Sequence, residues 1–248
     1  MTILLTNDDG LESPGLQFLV DALAADHETW IVAPDREMSG QSHSITLNEG
    51  LKLSRRTDRR FAVRGTPVDC VNLALQAILP SSPDLVISGI NRGPNLGSDI
   101  VYSGTCAAAR EAAFRGVPAI AVSLASLRGP WDFAPAAQFV ARNLDVLQSL
   151  WRDDRFVNVN WPARIAERPR ILFTRPGHRR YQDEMVCFRS PKGGEYWFLQ
   201  PAGVESSEEE GTDTRATHDG HVSVSPVALE PVLAPPDPIH DTITWRGP

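Results

Sequence analysis

Short apolar runs alternate with longer amphipathic ones through the N-terminal half of the chain. "TILLTN" at 2–7, "TWIVAP" at 29–34, "PDLVISGIN" at 83–91 and "VPAIAVSLA" at 117–125 read as strands buried on both faces. Between them, "GLQFLVDALAAD" at 15–26, "VDCVNLALQAIL" at 68–79 and "GTCAAAREAAFRG" at 104–116 repeat apolar positions at helical spacing. Strand and helix in turn are the pattern of βαβ units, which predicts an α/β fold: a Rossmann-like parallel sheet flanked by helices in three layers.

Two regions depart from that rhythm. Period-two stretches within 42–69, "ITLNEGLKL" and "RFAVRG", predict an inserted β-hairpin around 44–64 that projects from the sheet. A further amphipathic helix is expected over "AAQFVARNLDVLQSLW" at 136–151, followed by strand-like "FVNVNWP" and "RILFTRP". After residue 175, "MVCFRS", "EYWFLQP" and "HVSVSPV" alternate with turn residues and read as a β-rich extension over 176–248. Its aromatic residues suit a subunit or domain interface better than a cofactor pocket. The expected domains are therefore a catalytic core over 1–175 and an oligomerisation extension over 176–248.

In an open parallel sheet, ligands lie beyond the carboxyl ends of the strands. The first strand delivers Asn7, Asp8, Asp9 and Gly10 there; the second delivers Asp35 and Arg36, then Ser39 and Gly40; the third delivers Asn91, Asn95 and Asp99. Adjacent carboxylates with no Lys or Arg near them in sequence repel unless a cation lies between them. Carboxylate, amide and hydroxyl oxygens together are hard ligands, suited to Mg²⁺, Mn²⁺ or Ca²⁺. The plainer reading of Asp8 and Asp9 is a helix N-cap with a first-turn carboxylate, and convergence with Ser39 and Asn91 favours the metal. "SGTCAAAREAAFRG" begins a helix near Ser103–Thr105, whose small residues leave backbone amides open to an anion. A cation beside an anion pocket is the layout of phosphoester hydrolysis. His43, a lone histidine in a loop, and Cys106, inside the helix without a partner, read as structural.

Composition narrows the class. The 248 residues include 24 Lys and Arg against 31 Asp and Glu, a formal charge of −7, without a basic stripe to follow a phosphate backbone, so long nucleic acid is a poor partner. The acidic run "ESSEEEGTD" at 205–213 reads as a solvated loop. Three widely spaced cysteines without a CxxC point to a reducing cytoplasm, and no signal peptide or apolar membrane span is expected.

Taken in order, "ILLTNDDG", "APDREMSGQSHSIT", "GTPVDCV", "SGINRGPNLGSDIVYSGT", "VNVNWP" and "GTDTRATHDGHVSVSPV" resemble the SurE survival protein family along the whole chain. The resemblance implies a metal-dependent 5′/3′-nucleotidase acting on nucleoside monophosphates, with some members also trimming short polyphosphate. It implies one divalent cation per subunit, Mg²⁺ or Mn²⁺, held by Asp8, Asp9, Ser39 and Asn91. Asp8 and Asp9 would be catalytic, and Gly40, Asn95, Ser103, Gly104 and Thr105 would form the phosphate-binding region. Homodimers, in some members paired into homotetramers, are implied as well. One departure is local: "CAAAREAA" follows "YSGT" where the family usually carries Val, then Gly, and a later Gly. A phospho-receiver module would need an aspartate where Asn91 stands, and a haloacid-dehalogenase-type phosphatase would need one at Gly10. A non-catalytic nucleotide-binding module is the remaining alternative.

Overall fold

A computed structural model of the protein describes residues 1–129, 131–207 and 209–230. The first strands are β1 (Thr2–Thr6), β2 (Glu28–Pro34), β3 (Lys52–Thr57) and β4 (Arg60–Arg64). They are followed by β5 (Leu85–Arg92), β6 (Ala119–Ala125), β7 (Arg155–Pro162), β8 (Ile171–Phe173) and β11 (Val222–Ala228). These nine form one sheet in the order β3-β4-β2-β1-β5-β6-β7-β11-β8. Neighbours from β4 through β7 run parallel, which needs crossover connections between them; β3 and β11 are antiparallel to their neighbours β4 and β7.

Helices cover both faces because residues along each central strand alternate in direction. Ile3 and Leu5 point into one core with Leu16, Leu19 and Leu23 of α1 (Pro14–Leu23) and with α5 (Ala134–Arg142) and α6 (Leu144–Ser149). Leu4 points the other way, into a second core with Val71 of α2 (Pro67–Leu73) and with Cys106, Ala109 and Ala112 of α4 (Gly104–Phe114). The short α3 (Asp99–Tyr102) precedes α4. The alanine-rich face of α4 lets it lie close against the sheet, and Ala107, Ala108 and Ala109 are fully buried. The three-layer α/β arrangement expected from the alternation is the one the chain adopts.

Three local expectations need correction. Residues 44–50 form no strand, and β3 and β4 do not project; β4 pairs parallel with β2 and extends the sheet edge. The reason is burial, since Phe61 and Val63 need the second core beneath them. The segment before β3 is instead fastened by α2: Asp69 accepts from the Thr46 amide at 3.0 Å and from its hydroxyl at 2.6 Å, while also closing a capping box with Thr66. The helix expected over 136–151 breaks at Asn143, whose side-chain amide donates to the Phe139 carbonyl at 2.8 Å, the local competition typical of asparagine.

The expected extension over 176–248 also divides. Only β9 (Arg179–Arg189) and β10 (Glu195–Ser206) stand apart, as a two-stranded antiparallel hairpin. The chain then passes through α7 (Asp213–His218) and returns to the core sheet as β11, whose Val222 and Val224 are buried in the first core. Residues 208 and 231–248 of that expected extension lie outside the described residues.

Candidate active site

β1 ends in a turn that the sequence builds from its own side chains. Asn7 is fully buried; its amide donates to the Gly10 carbonyl at 3.0 Å and to the Ser13 hydroxyl at 2.6 Å, and its Oδ1 accepts from the Gly10 amide at 3.2 Å. Gly10 completes the turn at φ +101, where a side chain would be strained and would press on the Arg36 backbone. The turn releases Asp8 and Asp9 at the carboxyl edge of the sheet. The Asp8 carbonyl accepts from the Met38 amide at 2.8 Å, which ties the Ser39–Gly40 loop to the same edge.

Asp8 is almost wholly buried, and the Thr105 hydroxyl donates to its Oδ1. Gly104 makes that contact possible, because a Cβ there would stand 2.9 Å from Asp8 Cβ and 3.0 Å from Oδ2. Burial, reinforced by the charge of Asp9, pushes the Asp8 carboxyl up to about 6, against the lowering effect of the Thr105 hydrogen bond. Asp9 accepts from the Arg92 amide at 3.1 Å; burial raises its pKa, and Arg92 and Glu37 act on it in opposite senses. Neither carboxylate has an ion-pair partner among the described residues.

Asn91, next to Arg92, donates to the Gly93 carbonyl at 2.9 Å, and its Oδ1 accepts no hydrogen bond among the described residues. Ser39 is exposed and donates to Glu37 Oε1 at 3.1 Å. Together with Asp8, Gly40, Asn95 and Ser103, they line one cleft of about 480 Å³. A divalent cation fits the chemistry of this donor set: two adjacent carboxylates without an ion-pair partner among the described residues, a free amide oxygen and a hydroxyl, all hard oxygen ligands. Among the described residues, no three His, Cys, Asp or Glu side chains form a metal-binding group, so a cation here would draw on Asn91 and Ser39 as well as the carboxylates.

The expected anion-binding residues divide into two sets. Ser103 caps α4, its hydroxyl accepting from the Cys106 amide at 3.0 Å, and it faces the cleft beside Asn95. Asn95 is held from three sides: its side chain donates to Ser123 at 2.8 Å, and its backbone bonds Asn158 and Asn160 of β7. Thr105 and Gly104 do not line the cleft; they stand behind Asp8 and position it. Gly40, at φ +72 with open space around it, keeps the loop after β2 close to the opening. His43 lies away from the cleft, 3.0 Å from Glu111 and edge-on to Phe114, and Cys106 is buried with its thiol pushed up to about 12 by desolvation.

The hairpin supplies residues that sequence reasoning missed. Tyr181, Asp183 and Leu199 line the same cleft as Asp8, as do Tyr102 and Asp99. Asp99 is buried against the Arg179 guanidinium and accepts from the Tyr181 hydroxyl at 2.5 Å. Burial raises the Asp99 carboxyl, while burial and the neighbouring carboxylate hold the Tyr181 phenol well above its usual value. Beneath them, fully buried Asp213 accepts from the amides of Gly97 and Gly177, each at 2.8 Å, and of Thr214 at 2.7 Å, tying the cleft loop to the hairpin base. These residues lie some eighty or more positions beyond the loop they serve, and only the motif "GTD" gave any signal of them.

With the geometry in place, comparison with known proteins decides the family. The family profile described as "Survival protein SurE" matches residues 3–183. The chain belongs to the SurE family. It is 44% identical over 232 residues to the 5′-nucleotidase SurE of Geotalea uraniireducens (strain Rf4), covering 93% of this chain and 94% of the relative. It is 43% identical over 239 residues to that of Nitrosococcus oceani, covering 93% and 92%. Among solved structures, the SurE protein from Aquifex aeolicus superposes with a TM-score of 0.78 at 38% identity, covering 93% of this chain and 94% of that one. The SurE profile spans β1 through the first half of β9, and so includes the carboxylate turn, the Asn91–Thr105 loop and Tyr181.

Proposed function

We propose that this chain is a divalent-cation-dependent 5′-nucleotidase, hydrolysing nucleoside monophosphates to nucleoside and inorganic phosphate. The observation that carries the reading is the buried Asp8 carboxylate, next to half-buried Asp9 and with no ion-pair partner among the described residues, in a cleft that also takes in Ser103, the cap of α4. The chain's similarity, over 93% of its length, to proteins named 5′-nucleotidase SurE supports the nucleotidase part of this reading.

Asp8, Asp9, Ser39 and Asn91 would hold the cation, Mg²⁺ or Mn²⁺. A bound cation of this kind supplies charge to the phosphoryl oxygens and acidifies water. The chain's own groups do the rest. Asn95 and Ser103, the cap of an eleven-residue helix whose dipole favours an anion, orient the phosphate and stabilise its oxygens as they gain charge. Asp9 Oδ1, the oxygen that the Arg92 amide leaves free, takes the proton of the attacking water. Thr105 and Gly104 hold Asp8 in place from behind.

The same cleft would accept 3′-monophosphates and the ends of short polyphosphate chains, as the family resemblance implies. The assembly we propose is a homodimer, in turn able to pair into a homotetramer, and the exposed Met185, Phe188, Tyr196, Trp197 and Phe198 of the hairpin support it. A cytoplasmic location is in keeping with three unpaired cysteines, two of them buried; no helix among the described residues is long and apolar enough to cross a membrane.

Phosphate release from a panel of 5′- and 3′-mononucleotides, with chelator and then with Mg²⁺ or Mn²⁺ restored, tests the reading. Cation-dependent release is expected. Binding of mononucleotides without release under any condition would favour the non-catalytic alternative.

A further inference from the structure

We propose that the hairpin side of the cleft is a nucleoside subsite, in which the ring of Tyr181 is the stacking platform for the base and Leu199 and Tyr102 enclose it. The proposal rests on the nucleotidase reading above and names which residues distinguish a nucleotide from any other phosphate ester.

Register sets up the surface. In an antiparallel pair, directly opposed residues share a face, and so do residues two apart on one strand. Tyr181 and Asp183 are two apart on β9, Asp183 opposes Pro201 and Met185 opposes Leu199. Tyr181, Asp183 and Leu199 therefore emerge on one face of the hairpin, and that face overhangs the cleft. The phosphate end of the cleft is made of Asp8, Ser39, Asn91, Asn95 and Ser103, all polar. The hairpin end is aromatic and aliphatic, with Asp183 as its exposed acceptor for ribose hydroxyls.

Tyr181 is prepared for this task. Its hydroxyl is fixed on buried Asp99 at 2.5 Å, and the Arg179 guanidinium, itself bonded to Asp99, lies over the ring at 5.6 Å from its centroid. Yet the residue remains 43% exposed, Tyr102 is 62% exposed and Leu199 is 63% exposed. An aromatic ring anchored by its hydroxyl and covered by a cation on one face offers the other at little entropic cost. Stacking uses the π face that every base has, so such a platform favours nucleosides over other leaving groups while reading base identity weakly. Asp99 and Arg179 act through Tyr181 and are positioning residues.

The test compares kcat/KM for AMP with kcat/KM for ribose 5-phosphate, which has the same phosphate and sugar but no base. In the native protein AMP should be preferred. Tyr181→Ala should lower the AMP to ribose 5-phosphate ratio about tenfold, the size of one base–aromatic stack, mainly through KM for AMP. Tyr181→Phe, which keeps the ring, should restore most of the ratio. Leu199→Ala, at an exposed position remote from the Asp99–Arg179 pair, should lower the ratio in the same direction without risk to folding. Adenosine should inhibit ribose 5-phosphate hydrolysis by the native protein and lose potency in Tyr181→Ala. Equal losses on both substrates, or a native ratio near one, would overturn the subsite while leaving the nucleotidase reading intact. Ribose 5-phosphate turnover with no release from any mononucleotide would overturn both.

Discussion

Replacing Asp8 by Asn should make the cation-free protein more stable while abolishing its activity. Burial and the neighbouring Asp9 raise the Asp8 carboxyl from 3.8 to about 6. At about 1.4 kcal/mol per pH unit, keeping Asp8 ionised at neutral pH costs the cation-free fold about 3 kcal/mol. The sign follows from proton counting. Between 3.8 and about 6 the folded chain binds the Asp8 proton and the unfolded chain releases it, so this contribution to stability is complete below 3.8 and lost as pH rises through 6. Asparagine retains an oxygen for the Thr105 hydroxyl but buries an amide N–H, which returns about 1 kcal/mol of the gain. The remaining difference of about 2 kcal/mol corresponds to about 4–8 °C in Tm for a chain of this size. Calorimetry of both proteins in chelator, from pH 4 to pH 8, measures it. The variant should melt higher at neutral pH, and the gap should narrow as pH falls below 6 and close near 3.8. A variant that melts lower at neutral pH, or a gap independent of pH, would refute the claim that Asp8 is held ionised against its surroundings.

Other substitutions test the supporting contacts. Gly104→Ala would bring a methyl to 2.9 Å from Asp8 Cβ and 3.1 Å from Pro67 Cγ, so activity should collapse with a stability loss of about 1–3 kcal/mol, read by phosphate release and thermal melting. Asp213→Ala leaves three amide donors without their acceptor, at about 1 kcal/mol each, and should raise KM by loosening the Gly97 loop against the hairpin base. His43→Ala should leave kcat unchanged, because His43 is engaged with Glu111 and Phe114 outside the cleft; a large fall in kcat would return it to the reaction as a general acid.

Legibility in the sequence depended on distance along the chain. The layers could be read because Ile3, Leu4 and Leu5 alternate between two cores, and because α4 carries its own cap and its own alanine face. Asp8, Ser39, Asn91, Asn95 and Ser103 could be gathered in advance because they lie at or soon after the carboxyl ends of strands, and parallel strands end at one edge. What could not be read were long-range contacts. Nothing local in "RRYQDEM" shows that Tyr181 would hydrogen-bond Asp99, or that Arg179 would be buried beside it. Period two in "RFAVRG" was real, but periodicity reports a strand and not its neighbour, so the edge pairing of β4 on β2 went unseen. The motif places Thr105 at the start of α4, but only the structure shows that the missing side chain at Gly104 lets the Thr105 hydroxyl reach Asp8.

Titration of the chelated protein with Mn²⁺, followed by electron paramagnetic resonance of the free ion, tests most directly whether Asp8, Asp9, Ser39 and Asn91 converge on a cation. One ion should bind per chain in the native protein, and that binding should disappear together with phosphate release in Asp9→Asn, while the variant still folds. Undiminished Mn²⁺ binding in Asp9→Asn, or full phosphate release by the exhaustively chelated native protein, would contradict it.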